Sequence, residues 1–229
     1  LRVTAAQLRC KVIGEGANIG MTQKGRIEAA AHGVRLNTDA IDNSAGVDSS
    51  DHQVNIKILL SAAIESGALE TKDRNALLSA MTGNVAAHVL RHNYEQTRAI
   101  SQMEASAPAD LDAHTRLMGA FEQEGRLDRA IEYLPDAETI GALKARGLGL
   151  TRPELSVLLA YSKMWLFEAL VDSSAPDDPL FARELYAYFP DQLHGFSDAL
   201  EHHRLRREII ATRMSNEIVD TCGASFPHR

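Results

Sequence analysis

Two hydrophobic rhythms divide the chain. Up to about Ser50, apolar residues come in short runs broken by glycine and polar turns; from Asp51 onward they recur at the 3.6-residue spacing of amphipathic helices. Arg9-Cys10-Lys11-Val12-Ile13 stops at Gly14 and predicts a strand. Thr22 is placed to cap a helix over Gln23–Ala31, with Ile27, Ala30 and Ala31 on one face and His32-Gly33 as its close. Val34-Arg35-Leu36 then predicts a second short strand. Strand, helix and strand in so few residues form a βαβ unit, normally right-handed and parallel. Ligands of open parallel sheets bind beyond the carboxyl ends of the strands. At those ends lie a polar turn, Gly14–Asn18, and a long polar stretch, Asn37–Ser50, expected to be a loop. Ordinary connectors run about 4–6 residues, and long ordered loops are usually functional.

The helical part begins with Val54, Ile58, Leu59, Ala62 and Ala63 on one face of a helix ending near Gly67. A second helix starts at Thr71-Lys72-Asp73, and Thr82-Gly83-Asn84 predicts a break and a new cap. A long helix carrying Val85, His88, Val89, Tyr94 and Ile100 follows, up to a linker at Ser106-Ala107-Pro108-Ala109. Further helices are expected over Leu111–Glu124, Asp128–Tyr133 and, capped by Asp136, Ala137–Ala145. Thr151-Arg152-Pro153-Glu154 is a capping box with proline in the first turn, a specific start signal for a helix to about Val171. Ser173–Pro179 reads as a polar linker, Leu180–Phe189 as an amphipathic segment and Ala199–Thr221 as a last helix. The expected fold is therefore mainly α: a short α/β segment, the end of a Rossmann-like parallel sheet, followed by an all-helical region.

Composition narrows the function classes. A net charge of −7 argues against a general nucleic-acid binder, whose footprint is a basic face. No apolar run approaches the roughly 18 residues of a membrane span, and no signal peptide opens the chain. Two cysteines, Cys10 and Cys222, give no disulfide framework and fit a reducing cytoplasm. A start at Leu1, directly ahead of a predicted strand, suggests a piece of a longer polypeptide.

The candidate chemistry sits in the polar stretches. Asn18 and Asn43 can serve as turn residues, since asparagine tolerates left-handed backbone. They can equally offer a donor and an acceptor together, suited to a carboxamide, a carboxylate or a ribose hydroxyl. Ser50 is expected to begin the following helix, where a hydroxyl and free N–H groups favour an anion. His88 and His92 have the i, i+4 spacing of two metal ligands, but with no third ligand in view no metal site is expected. His202 and His203 read as a solvated face, His52 as a capping or surface residue, and the cysteines as small buried apolar residues. The run Arg204-Leu205-Arg206-Arg207 is balanced by Glu201 and Glu208.

Taken together, Val12-Ile13-Gly14-Glu15-Gly16-Ala17-Asn18 and Asn43-Ser44-Ala45-Gly46-Val47, with Ser50 three places on, resemble the end of the nucleotide-binding domain of glutamate dehydrogenases. That superfamily shows an E-G-A-N loop after one strand and an N-x-G-G-V-x-x-S loop after the next. The wording around Gly20-Met21-Thr22 and Asp39–Asp48 is most similar to the large, NAD-specific bacterial members, which carry an extra C-terminal helical region. The resemblance covers about the first fifty-five residues. It implies oxidative deamination of L-glutamate to 2-oxoglutarate and ammonium, with hydride passed to NAD. By motif position, Gly16, Ala17, Asn18 and Asn43 would meet the cofactor, Asn43 the amino-acid end of the substrate, and Ser50 its side-chain carboxylate. The family's catalytic Lys and Asp belong to a substrate domain not represented in this chain, so no catalytic residue is assigned and the chain alone should not turn over.

Two departures bear on these assignments. Ala45 stands where the family has the first of two glycines, and Asp48-Ser49 precede Ser50, which leaves the serine contact open between Ser49 and Ser50. The division expected is 1–66 for the end of the NAD-binding domain and 67–229 for a helical domain, in a cytoplasmic, homo-oligomeric protein. Two alternatives stand beside this reading: a non-catalytic helical interaction or regulatory module, and a dehydrogenase for another amino acid. A serine ready for a side-chain carboxylate favours glutamate over leucine or phenylalanine.

Overall fold

The computed structural model of the chain describes residues 3–228. The helices are α1 (Gln23–Ala31), α2 (Asp39–Asp42), α3 (Ser44–Glu65), α4 (Arg74–Gln123), α5 (Arg129–Glu132), α6 (Ala137–Ala145), α7 (Arg152–Asp172), α8 (Ala182–Tyr188), α9 (Ser197–Glu201) and α10 (Arg206–Cys222), with short 3-10 turns between some of them. They fall into two compact units. One comprises Leu1–Ser44, Glu95–Lys163 and Ile218–Arg229; the other comprises Ala45–Tyr94 and Met164–Glu217. No helix among the described residues is long and apolar enough to cross a membrane.

The mainly helical expectation holds; of the expected sheet, the described residues show one bridge. Among the described residues the two predicted strands meet in a single parallel bridge, Val12 to Arg35. Ile13 N–H donates to the Arg35 carbonyl and Arg35 N–H to the Lys11 carbonyl, each at 2.9 Å. Two such short segments with no third strand beside them cannot extend a ladder. Helix α1 is capped as its sequence predicts, the Thr22 hydroxyl accepting from Gly25 N–H, and it buries Ala29 beside Val34, Leu36 and Ala5.

Helix α4 overturns two predicted interruptions. It runs unbroken for 50 residues through Thr82-Gly83-Asn84 and through Ser106–Ala109, with Pro108 inside it. Glycine costs a helix about 1 kcal/mol and proline about 3, so burial on either side has to outweigh local preference. Met81 and Val89 flank Gly83 and are buried; Ala107 and Leu111 flank Pro108 and are buried too. Proline also removes one donor from the helical ladder, and beside it the Ser106 hydroxyl turns back to the carbonyls of Gln102 and Met103. Ala107 is also where the chain approaches α4 from outside. A Cβ on Gly149 would lie 2.3 Å from the Ala107 carbonyl carbon, so only glycine fits.

The capping signals place the next helices well. The Asp136 carboxylate accepts from Thr139 N–H at 2.8 Å and starts α6. Thr151 N–H and Oγ both donate to Glu154 Oε2 at 2.6 Å at the head of α7. The linker Ser173–Pro179 carries two 3-10 turns, Ala175–Asp177 and Pro179–Phe181. The last predicted helix is two helices, α9 and α10, because His203 leaves the solvent: it is 5% exposed, its Nδ1 accepts from Leu205 N–H and its Nε2 meets the Asn55 carbonyl. Around it, Ile56, Leu59, Leu60, Met81, Phe189 and Ile210 belong to the core of the second unit.

Candidate functional site

The stretch Asn37–Ser50 is not a loop. It contains one helical turn, α2, a break at Asn43, and then α3 from Ser44. The misreading came from its acidic residues, which serve as acceptors for another segment. Asp42 Oδ2 accepts from Glu15 N–H at 2.9 Å, Asp39 Oδ2 accepts from Ile19 N–H at 2.8 Å, and Asp42 Oδ1 accepts from Asn37 Nδ2 at 2.8 Å. The Gly14–Asn18 turn is thereby tied to α2 through its own backbone.

A buried ion pair backs this tie. Arg26 of α1 donates to both Glu15 oxygens, at 2.8 and 2.7 Å, and lies 3.1 Å from Asp39 Oδ1. Glu15 and Arg26 are about 6% exposed. The hydrogen bond to Glu15 is the main cause holding the guanidinium pKa above its ordinary value, against the desolvation that lowers it. Asp39 lies below its usual range: burial raises it, and the N–H of Ile19 together with the Arg26 charge outweigh that. Glu15 Oε1 also accepts from Met21 N–H at 2.9 Å, so the loop closes on its own carboxylate. A second arginine anchors Asn37: Arg152 Nε and Nη2 donate to Asn37 Oδ1, while its Nη1 reaches Ser101 and Glu104.

On this frame the structure brings Asn18 and Asn43 together. Asn43 Nδ2 donates to Asn18 Oδ1. Asn18 Nδ2 and Asn43 Oδ1 have no partner among the described residues, so one amide donor and one amide acceptor are free at the same place. Gly16, Ala17 and Asn18 are exposed, and the space where a Gly16 side chain would project is open. The next residue, Ile19, has φ 59 and is 83% exposed. A β-branched side chain in left-handed backbone is strained, and the loop bonds just described hold it there.

Ser50 does not begin a helix. It lies in the second turn of α3, where its N–H is part of the helical ladder, and only its hydroxyl is available. In the second unit Ser49 and Ser50 both line a cavity of about 630 Å³ with Gln53 and Lys57 of α3 and Ser79 and Thr82 of α4. Lys57 has no acidic partner among the described residues and was missed in the sequence. Its signal was spacing: Ser50, Gln53 and Lys57 stand at i, i+3 and i+7 on one helical face.

Two further readings are corrected. His52 is fully buried, not a cap or surface residue, and stacks on Tyr188 with ring centroids 4.3 Å apart. Cys10 and Cys222 are exposed thiols, not buried apolar residues.

Residues 1–103 match the family model described as bacterial NAD-glutamate dehydrogenase, catalytic domain, and residues 147–229 match the one described as glutamate dehydrogenase, C-terminal. Along its whole length the chain is 48% identical to an NAD-specific glutamate dehydrogenase of Pseudomonas aeruginosa. It is 44% identical to the protein of that name in Halomonas elongata and 42% identical to that in Mycobacterium tuberculosis. The chain spans 14% of the length of each of these relatives.

Proposed function

We propose, on the premise that the chain belongs to the bacterial NAD-glutamate dehydrogenase family as one segment of a longer enzyme, that it supplies part of the nicotinamide and glutamate binding sites. The parent enzyme then converts L-glutamate, NAD and water to 2-oxoglutarate, ammonium, NADH and a proton. The observation that carries this reading is the hydrogen bond between Asn18 and Asn43. It joins two sequence motifs and leaves one donor and one acceptor free, the complement of a carboxamide.

Gly16, Ala17, Asn18 and Asn43 would hold NAD at its nicotinamide end, and NAD when bound accepts the hydride leaving the glutamate α-carbon. Gly16 admits close approach because no Cβ stands in the way. Asn43 Oδ1 is free to accept from the carboxamide or from the substrate ammonium. The Ser50 hydroxyl would donate to the side-chain carboxylate of glutamate. Ser49 lines the same cavity, and Lys57 adds a cation that an acidic substrate requires.

The single bridge between Val12 and Arg35 is read as the edge of a parallel sheet that the rest of the enzyme completes, with 1–66 as the end of the NAD-binding domain and 67–229 as a helical domain. In support, Val12 is 67% exposed, an apolar strand residue with nothing over it. A homo-oligomeric, cytoplasmic parent completes this reading. In the full-length enzyme, Ser50→Ala should raise the KM for glutamate and leave that for NAD in place; unchanged glutamate kinetics in both Ser50→Ala and Ser49→Ala would remove the serine role.

A further inference from the structure

The second unit contains a cluster that the dehydrogenase reading does not use. On α3, Asp48 and His52 stand one turn apart; on α4, His88 and His92 do the same. His92 Nδ1 lies 2.8 Å from Asp48 Oδ2 and His52 Nε2 lies 3.6 Å from Asp48 Oδ1. One donor atom from each of Asp48, His52 and His92 falls within 4.8 Å of the others. The His88 ring flanks them, its centroid 5.7 Å from that of His52.

The independent observation is His52 itself. Its side chain is 0% exposed, and neither Nδ1 nor Nε2 has a hydrogen-bond partner. Stacking on Tyr188 accounts for the burial of the ring but leaves both nitrogens unanswered. A buried polar group without a partner is costly unless something unseen answers it.

We propose that Asp48, His52 and His92 form a binding site for one divalent transition-metal ion, zinc by its donor set, which joins α3 to α4 inside the second unit. Two imidazole nitrogens and one carboxylate oxygen are an ordinary zinc set, with bonds of about 2.0–2.2 Å and a fourth position left to water. Donors of a tetrahedral site then lie about 3.3 Å apart, and one donor atom from each of the three residues already lies within 4.8 Å of the others. Asp48 also lines a cavity of about 280 Å³ together with Asp51, Asn55 and Glu208. Arg213, a neighbouring cation, is paired with Glu184 at 3.2 Å.

The test uses the full-length protein, freed of metal by chelation and titrated calorimetrically with zinc ion alone. Asp48→Asn and His92→Gln are compared with the unaltered protein, because both keep the side-chain size; His32→Gln, an exposed histidine, is the control. The unaltered protein and the control should take up one zinc ion per chain more than either variant, or bind that ion at least about tenfold more tightly. Cobalt substituted into the unaltered protein should show the visible absorption of a tetrahedral nitrogen–oxygen site, a readout that depends on no variant. Absence of that absorption, or zinc uptake of equal stoichiometry and affinity in the unaltered protein and both variants, overturns the proposal.

Discussion

Asn43 donates its side-chain amide to the side-chain carbonyl of Asn18, across 25 positions of sequence. Each residue closes a different local structure, Asn18 a turn after the first bridge segment and Asn43 the end of α2. Their meeting depends on Asp39 and Asp42, which hold the turn by its N–H groups. Removing the Asn43 amide should therefore disturb the cofactor end first. Asn43→Ala in the full-length enzyme is expected to raise the KM for NAD about tenfold, the scale of one hydrogen bond of about 1.4 kcal/mol. Steady-state kinetics with varied NAD checks this, and an unaltered KM would detach Asn43 from the cofactor.

The Glu15–Arg26 pair should be structural. Breaking a buried pair from one side leaves an uncompensated charge, at a cost of about 3–5 kcal/mol. Arg26→Met is expected to lower stability by roughly that amount, read from urea unfolding, with Glu15→Gln in the same background recovering part of the loss. A loss below about 1 kcal/mol would mean that Glu15 is solvated once its partner is gone.

Gly149→Ala tests the close approach to α4. The added methyl would fall 2.3 Å from the Ala107 carbonyl carbon, and backbone cannot swing aside as a side chain can. A destabilisation of about 1–3 kcal/mol is expected, visible as a lower melting temperature. Gly141→Ala, where no atom stands within 4 Å, should be neutral or stabilising.

Stability should depend on His52 at mildly acidic pH. Its folded value of about 4 lies below the unfolded value near 6.5. The unfolded chain thus binds the proton first, and stability present above pH 6.5 is lost as pH falls toward 4, by on the order of 3 kcal/mol. His88, His114 and His203, each lowered chiefly by burial, act in the same direction. Urea midpoints measured from pH 7.5 to 4.5 with chelator present should fall more steeply for the unaltered protein than for His52→Gln. Equal slopes would contradict the burial of His52.

These outcomes follow the line between what the sequence shows and what packing decides. Helix starts were legible wherever a side chain makes its own cap, as at Thr22, Asp136 and Thr151. The course of α4 was not, because Gly83 and Pro108 signal breaks locally while Met81, Val89, Ala107 and Leu111 gain more from burial than the breaks save. The stretch Asn37–Ser50 was misread for a related reason. Asp39 and Asp42 look like loop residues until the N–H groups they accept from are in view. The motifs singled out Asn18 and Asn43, but the hydrogen bond between them depends on the fold. Lys57 was not singled out, since its spacing from Ser50 and Gln53 marks a shared helical face but not the cavity beside it. His52 was hidden because burial is not written in its immediate neighbours, Asp51 and Gln53.

Whether this segment contributes to a glutamate site is decided by the substrate kinetics of Ser50→Ala in the full-length enzyme, alongside Ser49→Ala. The KM for glutamate is expected to rise by about tenfold or more in Ser50→Ala, the loss of one hydrogen bond to a charged group, with the KM for NAD unmoved. Glutamate kinetics identical to those of the unaltered enzyme in both variants would contradict that contribution.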